Sequence, residues 1–80
     1  MQRLRVPLDS IEVDGATLKS LRIAADLSQE ALAERAMISA YWYRQIEKNG
    51  QQPSLPVAQD LAAALGCRLS DFTVPTEAAA

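Results

Sequence analysis

The stretch Ser39 to Gly50 reads Ser-Ala-Tyr-Trp-Tyr-Arg-Gln-Ile-Glu-Lys-Asn-Gly and gathers three of the chain's four aromatic residues at Tyr41, Trp42 and Tyr43. On a helix that starts after Ser39, a period of about 3.6 residues puts Tyr43 and Ile46 on one side and Ala40, Tyr41, Arg44, Gln45 and Lys48 on the other. The first side suits a core. The second joins amide, phenol and guanidinium groups to positive charge, which is the chemistry that reads base edges and holds phosphates in duplex DNA. Gln45 can make a bidentate pair with adenine N6 and N7, and Arg44 with guanine O6 and N7; Tyr41 can pack on a thymine methyl or bond a phosphate. Lys48 and Asn49, at the helix end, suit phosphate contact. Trp42 has three readings: its indole donor on a phosphate, packing against the preceding helix, or a place in a protein interface, where tryptophan is enriched. For each polar residue the plainer alternative is a solvated face, and Cys67 is most simply a small buried apolar side chain.

The rest of the chain bounds what such a helix can serve. At 80 residues and 49% apolar the sequence makes one small globular domain with one core. It has no histidine and one cysteine, so no zinc site or disulfide framework can form within it, and the usual catalytic triads and dyads lack their base. A carboxylate-only enzyme would find hardly any room for a substrate cleft, so neither an enzyme nor a small-molecule site is expected. No apolar run approaches the roughly 20 residues of a membrane span. Met1 to Val13 carries arginines but no continuous apolar core, unlike a signal peptide, and the expected location is the cytoplasm, with no membrane partner, cofactor or metal. The net charge of -2 opposes DNA binding in its simplest form. From Arg35 to Gly50, however, Arg35, Arg44 and Lys48 face Glu47 alone, which predicts a polarised surface.

The elements that must position the helix are marked by caps. Residues 1–13 form an N-terminal arm in which Leu4, Val6 and Leu8 alternate with Arg3, Arg5 and Pro7, the period of an edge strand. A frayed arm, an inter-subunit strand and an arm placing Arg3 and Arg5 in the minor groove all remain open. Asp14 can cap a first helix over about Ala16 to Ala25, with Leu18, Leu21 and Ala25 as its apolar stripe. Arg22 lies beside that stripe and demands a partner. Ser28 caps a second helix, about Gln29 to Ala36, and Ser39 caps the third after a short break at Met37-Ile38: a helix-turn-helix outline. Asn49-Gly50 ends the third helix. Ser54 caps a fourth, with Pro56 in its first turn and a stripe of Leu55, Ala58, Leu61, Ala62 and Leu65, and Gly66 stops it. A short fifth helix, capped by Ser70 and anchored by Phe72, closes a domain over 14–74; 75–80 is expected to be a disordered tail.

Leu-Lys-Ser-Leu-Arg (18 to 22), Leu-Ser-Gln-Glu-Ala-Leu-Ala-Glu-Arg-Ala (27 to 36), Ile-Ser (38 to 39), Ile-Glu-Lys-Asn-Gly (46 to 50), Pro-Ser-Leu (53 to 55) and Leu-Ala-Ala-Ala-Leu-Gly (61 to 66) together resemble the helix-turn-helix family of the lambdoid phage Cro proteins and CI repressors, often called XRE-like. The resemblance covers Leu18 to Phe72. It implies an all-α fold, a compact five-helix bundle of the lambda-repressor-like type with an extended N-terminal arm, in which helices two and three bind DNA. It implies base contact by Ala40, Tyr41 and Gln45, with Arg44 their neighbour, and a role for Gln29 in contacting a phosphate and bracing the recognition helix. It also implies a buried ion pair between Arg22 and Glu47. Two departures stand out. The family usually has glycine where Met37 stands, so either methionine bears a left-handed conformation at a cost on the order of 1 kcal/mol or the turn is rebuilt. Tyr43 takes a position usually held by an aliphatic core residue, which predicts burial with its hydroxyl at the edge.

The expectation is therefore a sequence-specific regulator of transcription, a repressor that binds a pseudo-palindromic operator as a homodimer through the major groove. Ala40, Tyr41, Arg44 and Gln45 would read bases, and Gln29, Ser39, Trp42, Lys48 and Asn49 would hold phosphates. The alternative is a protein-interaction module, for example an antitoxin or adaptor, that keeps the fold and presents Tyr41 and Trp42 to a protein partner.

Overall fold

A computed structural model describes residues 11–75 of the chain. The readings placed on residues 1–10, minor-groove contact by Arg3 and Arg5 among them, and on the tail beyond Pro75 lie outside the described residues. Among the described residues four α-helices follow one another, α1 (Gly15–Ala24), α2 (Gln29–Ala36), α3 (Ala40–Asn49) and α4 (Leu55–Leu65), flanked by a two-stranded sheet, β1 (Ile11–Val13) with β2 (Thr73–Pro75).

Serine chemistry sets three of the four helix starts. The Oγ atoms of Ser28, Ser39 and Ser54 accept the backbone N–H of Ala31 at 3.0 Å, Trp42 at 3.0 Å and Val57 at 3.4 Å. Each such cap is worth about 1 kcal/mol. Asp14 holds the same position before α1 but makes no bond to the backbone of the first turn. Its carboxylate accepts the Thr17 hydroxyl at 2.6 Å instead. Gly50 (φ 73°) and Gly66 (φ 69°) end α3 and α4 in the left-handed conformation, where the lack of a Cβ removes the steric cost.

Each helix turns apolar or aromatic residues inward. Leu18, Leu32, Tyr43, Ile46, Leu61 and Phe72 are the largest fully buried side chains, and burying groups of this size contributes about 1.5–3 kcal/mol each. Ala33 and Ala36, also buried, keep α2 slim where it packs on both α3 and α4. On α1 the stripe is narrower than its spacing suggested. Leu18 is buried and Leu21 half-buried, but Ala25 is exposed because it caps the helix end.

The five-helix bundle needs correcting, because no fifth α-helix forms among the described residues. Leu69–Asp71 is a single 3-10 turn with Arg68, not Ser70, before it, and Asp71 Oδ2 accepts the Arg68 N–H at 2.9 Å. Two physical reasons stop it there. Phe72 is buried and its backbone leaves the helical range at φ -135° and ψ 20°, and the following Thr73-Val74-Pro75 is a poor helix: two β-branched residues, the second held extended by the proline after it. These residues pair antiparallel with β1 in the register Ile11–Pro75, Glu12–Val74, Val13–Thr73. The fold is thus mostly helical rather than all-α, and the strand at Ile11–Val13 finds its partner within its own chain.

Candidate nucleic-acid interface

Glu47 is the joint on which α3 is hung. Its side chain is 4% exposed and its carboxylate receives donors from three helices. From α1, Arg22 Nε donates to Oε2 at 2.8 Å and Nη2 to Oε1 at 3.3 Å. From α2, Gln29 Nε2 donates to Oε1 at 2.8 Å. From α3 itself, the Tyr43 hydroxyl donates to Oε2 one turn before Glu47. Arg22 also donates through Nη1 to the Leu27 carbonyl at 2.9 Å, tying down the link between α1 and α2. Among the described residues no buried side-chain nitrogen or oxygen lacks a partner, so the network is closed, and a closed network avoids the cost of a stranded polar group.

The electrostatics follow. Burial alone would raise the Glu47 carboxyl, but hydrogen bonds from Arg22, Tyr43 and Gln29, with the charge of Arg22, hold it below the usual carboxylate range. Burial first, and then the anion of Glu47, push the Tyr43 phenol well above its ordinary value. The hydrogen bond to Glu47 raises Arg22 against the opposing effect of its burial. The hydroxyl of Tyr43 is therefore not at the domain edge, as aliphatic substitution implied; it closes the network from inside.

With Tyr43 and Ile46 buried, the opposite face of α3 is fixed by helical geometry. Tyr41 is 67% exposed, Lys48 and Asn49 are exposed, and Ala40, Trp42, Arg44 and Gln45 are half-exposed. Trp42 packs partly against the core. Ser39, at the start of α3, uses its oxygen as the cap. Asn49 Nδ2 donates to Gln45 Oε1 at 2.6 Å, one turn away, and so sets the direction of the Gln45 amide. Arg44 Nη1 lies 3.5 Å from Glu30 Oε2 on α2. Neither contact was read from the sequence. The first shows as a spacing of four on one helix; the second crosses between helices and leaves no local signal.

Met37 joins α2 to α3 in the left-handed conformation, φ 63° and ψ 39°, so the turn keeps the shape that glycine would give it. The side chain is 87% exposed and little packing offsets the strain. Met37→Gly is expected to raise stability by up to about 1 kcal/mol, seen as a higher urea midpoint at unchanged slope. A lower midpoint would mean that methionine makes contacts worth more than the strain.

Two further residues position α3, and spacing alone did not reveal them. A Cβ on Gly15 would lie 2.5 Å from the Glu47 carbonyl oxygen and 2.9 Å from that of Ile46, so α1 starts against the backbone of α3. Gln52, in the loop after α3, accepts the Val13 N–H at 2.7 Å and donates to the Val13 carbonyl at 3.1 Å.

A helix-turn-helix family profile matches residues 18–72, more than half of the chain. The chain belongs to the XRE-type helix-turn-helix family. Among solved structures it is similar to the restriction-modification controller protein C.AhdI from Aeromonas hydrophila, at 32% identity and a TM-score of 0.68 over 71% of this chain and 86% of that one. It is similar to the clp gene regulator ClgR from C. glutamicum, at 26% identity and a TM-score of 0.66 over 71% and 74% of the two chains. A third structure is SinR, the master regulator for biofilm formation, in complex with DNA, at 28% identity and a TM-score of 0.66 over 70% and 90%. No curated protein matches.

Proposed function

We propose that the chain is a sequence-specific DNA-binding regulator of transcription, acting in the cytoplasm as a repressor, with α3 in the major groove. The coarse part of this reading, a DNA-binding transcriptional regulator, is supported by the family and by neighbours that control restriction-modification, clp genes and biofilm formation. The observation that carries the finer part is the division of α3. Tyr43, Ile46 and Glu47 lock one side into the domain, and Tyr41, Arg44, Gln45 and Lys48 are left on the other. In this reading Ala40, Tyr41, Arg44 and Gln45 meet base edges, while Gln29, Ser39, Trp42, Lys48 and Asn49 meet phosphates and fix the register. Gln29 spends one amide hydrogen on Glu47 and keeps the other for a phosphate. One such module reads only a few base pairs, so a homodimer on half-sites about one helical turn apart supplies the specificity.

The test is selection from random duplex DNA at about 150 mM salt, with the bound pool sequenced. A motif with two-fold symmetry is expected; absence of any enrichment would remove the regulator reading. Within that motif, Gln45→Ala is expected to relax preference at one base pair of each half-site, a loss of about 1–3 kcal/mol of discrimination, with an unchanged melt because Gln45 lies outside the core. Retention of the full preference would take Gln45 out of the reading set. A second reading, a protein-interaction module, is favoured by the 67% exposure of Tyr41 and the 87% exposure of Met37. Salt separates the two: phosphate binding weakens steeply with ionic strength, and an aromatic interface does not.

A further inference from the structure

Arg44 does not stand free on the proposed reading face, because Glu30 reaches across from α2 to its guanidinium at 3.5 Å. The two side chains are 43% and 70% exposed, so the pair sits in water and adds little to folding. Glu30 follows Gln29 in the first turn of α2, on the side of the domain to which the DNA-binding reading brings phosphates. A carboxylate there works against that binding, since it must be brought near the phosphate chain.

We infer that Glu30 is a specificity-determining residue that acts through Arg44, shielding the guanidinium from phosphates more than from a base edge. The inference rests on the regulator reading above. Its physics is a difference between two kinds of acceptor. A phosphate carries a full negative charge, so taking Arg44 to a phosphate sets that charge beside the Glu30 carboxylate. A guanine edge offers O6 and N7 as neutral acceptors, so Arg44 can bond it without creating an anion pair. Phosphate contact gives affinity to every sequence alike, whereas base contact gives it to one. Glu30 therefore lowers binding to arbitrary DNA more than binding to the operator, and a chain of net charge -2 gains discrimination from a charge that costs it affinity.

The experiment compares the unaltered protein, Glu30→Gln, Arg44→Ala and the double variant on the enriched duplex and on a scrambled duplex of equal length, across a salt series. Glu30→Gln is expected to bind the scrambled duplex about fivefold tighter, with a log-log salt slope steeper by about one unit, and the enriched duplex by clearly less, so that the selectivity ratio falls. In the Arg44→Ala background the same change is expected to tighten binding clearly less, leaving only the direct repulsion between Glu30 and phosphate. Equal tightening on both duplexes, or equal tightening with Arg44 absent, makes Glu30 a general surface charge and overturns the inference. Unchanged binding by Glu30→Gln overturns it too, while the regulator reading stands. If none of the four proteins binds any duplex, both readings fall together. Superimposable thermal melts of Glu30→Gln and the unaltered protein are expected, and a lowered melt would assign the pair to folding instead.

Discussion

Glu47→Ala is expected to cost about 3–5 kcal/mol, because removing one half of a buried pair strands the other. Arg22, 11% exposed, would keep its charge with only the Leu27 carbonyl beside it, and Tyr43 and Gln29 would each lose an acceptor. At about 4–8 °C per kcal/mol for a domain of this size, the melting temperature should fall by about 12–40 °C. A fall of only a few degrees would mean that water replaces the carboxylate at small cost and that the network does not hold α3. The same network sets a dependence on pH at both ends. Glu47 has a lowered pKa in the folded state, so its contribution is fully present above the unfolded carboxyl value near 4.3 and is lost as pH falls through the folded one. Tyr43 has a raised pKa, so its contribution is complete below the unfolded phenol value near 10 and declines as pH rises toward the folded one. Stability should therefore be flat around neutrality and drop at both extremes. In Glu47→Gln the acid limb should be shallower, since the carboxylate that must be protonated is gone.

Gly15→Ala adds a single carbon and is expected to destabilise by about 1–3 kcal/mol or more, the range for overpacking. The atoms it meets are the backbone carbonyl oxygens of Glu47 and Ile46, which cannot swing aside as a flexible side chain would. Relief requires α1 and α3 to separate, and that strains the bonds between Arg22 and Glu47. Loss of binding to the selected duplex should therefore exceed what the unfolded fraction explains, measured at a temperature where the variant is folded. An unchanged melting temperature and affinity would show that the first turn of α1 yields without disturbing α3. Any larger residue at this position should do worse than alanine.

These two residues mark the limit of what the sequence discloses. Ser28, Ser39 and Ser54 announce helix starts because a cap is a local event, a hydroxyl within reach of an amide three residues on. Gly50 and Gly66 announce helix ends for the same reason. Tyr43 and Ile46 are legible as core from a period alone. Arg22 beside Leu21 shows only that a partner is needed; Glu47 lies 25 residues away, and its name comes from family resemblance rather than from spacing. Gly15 announces nothing, because no local signal records the backbone of α3 passing over it. The segment after Gly66 misleads most. Ser70 and Phe72 imitate a capped helix, and only the partner strand at Ile11–Val13 shows why the chain goes extended instead.

Gln52 closes a border that short sheets leave open. Its amide takes both the N–H and the carbonyl of Val13, the two groups a neighbouring peptide would use, so one side chain acts as a strand of a single residue. On the far margin of the sheet Pro75 has no N–H to offer an incoming chain, and its place opposite Ile11 turns that gap outward. Sheet margins with unpaired peptide groups are where chains recruit copies of themselves into fibrils. A plug on one margin and an imino acid on the other leave this two-stranded sheet fewer open peptide groups among the described residues, so an incoming chain finds less of a template on it.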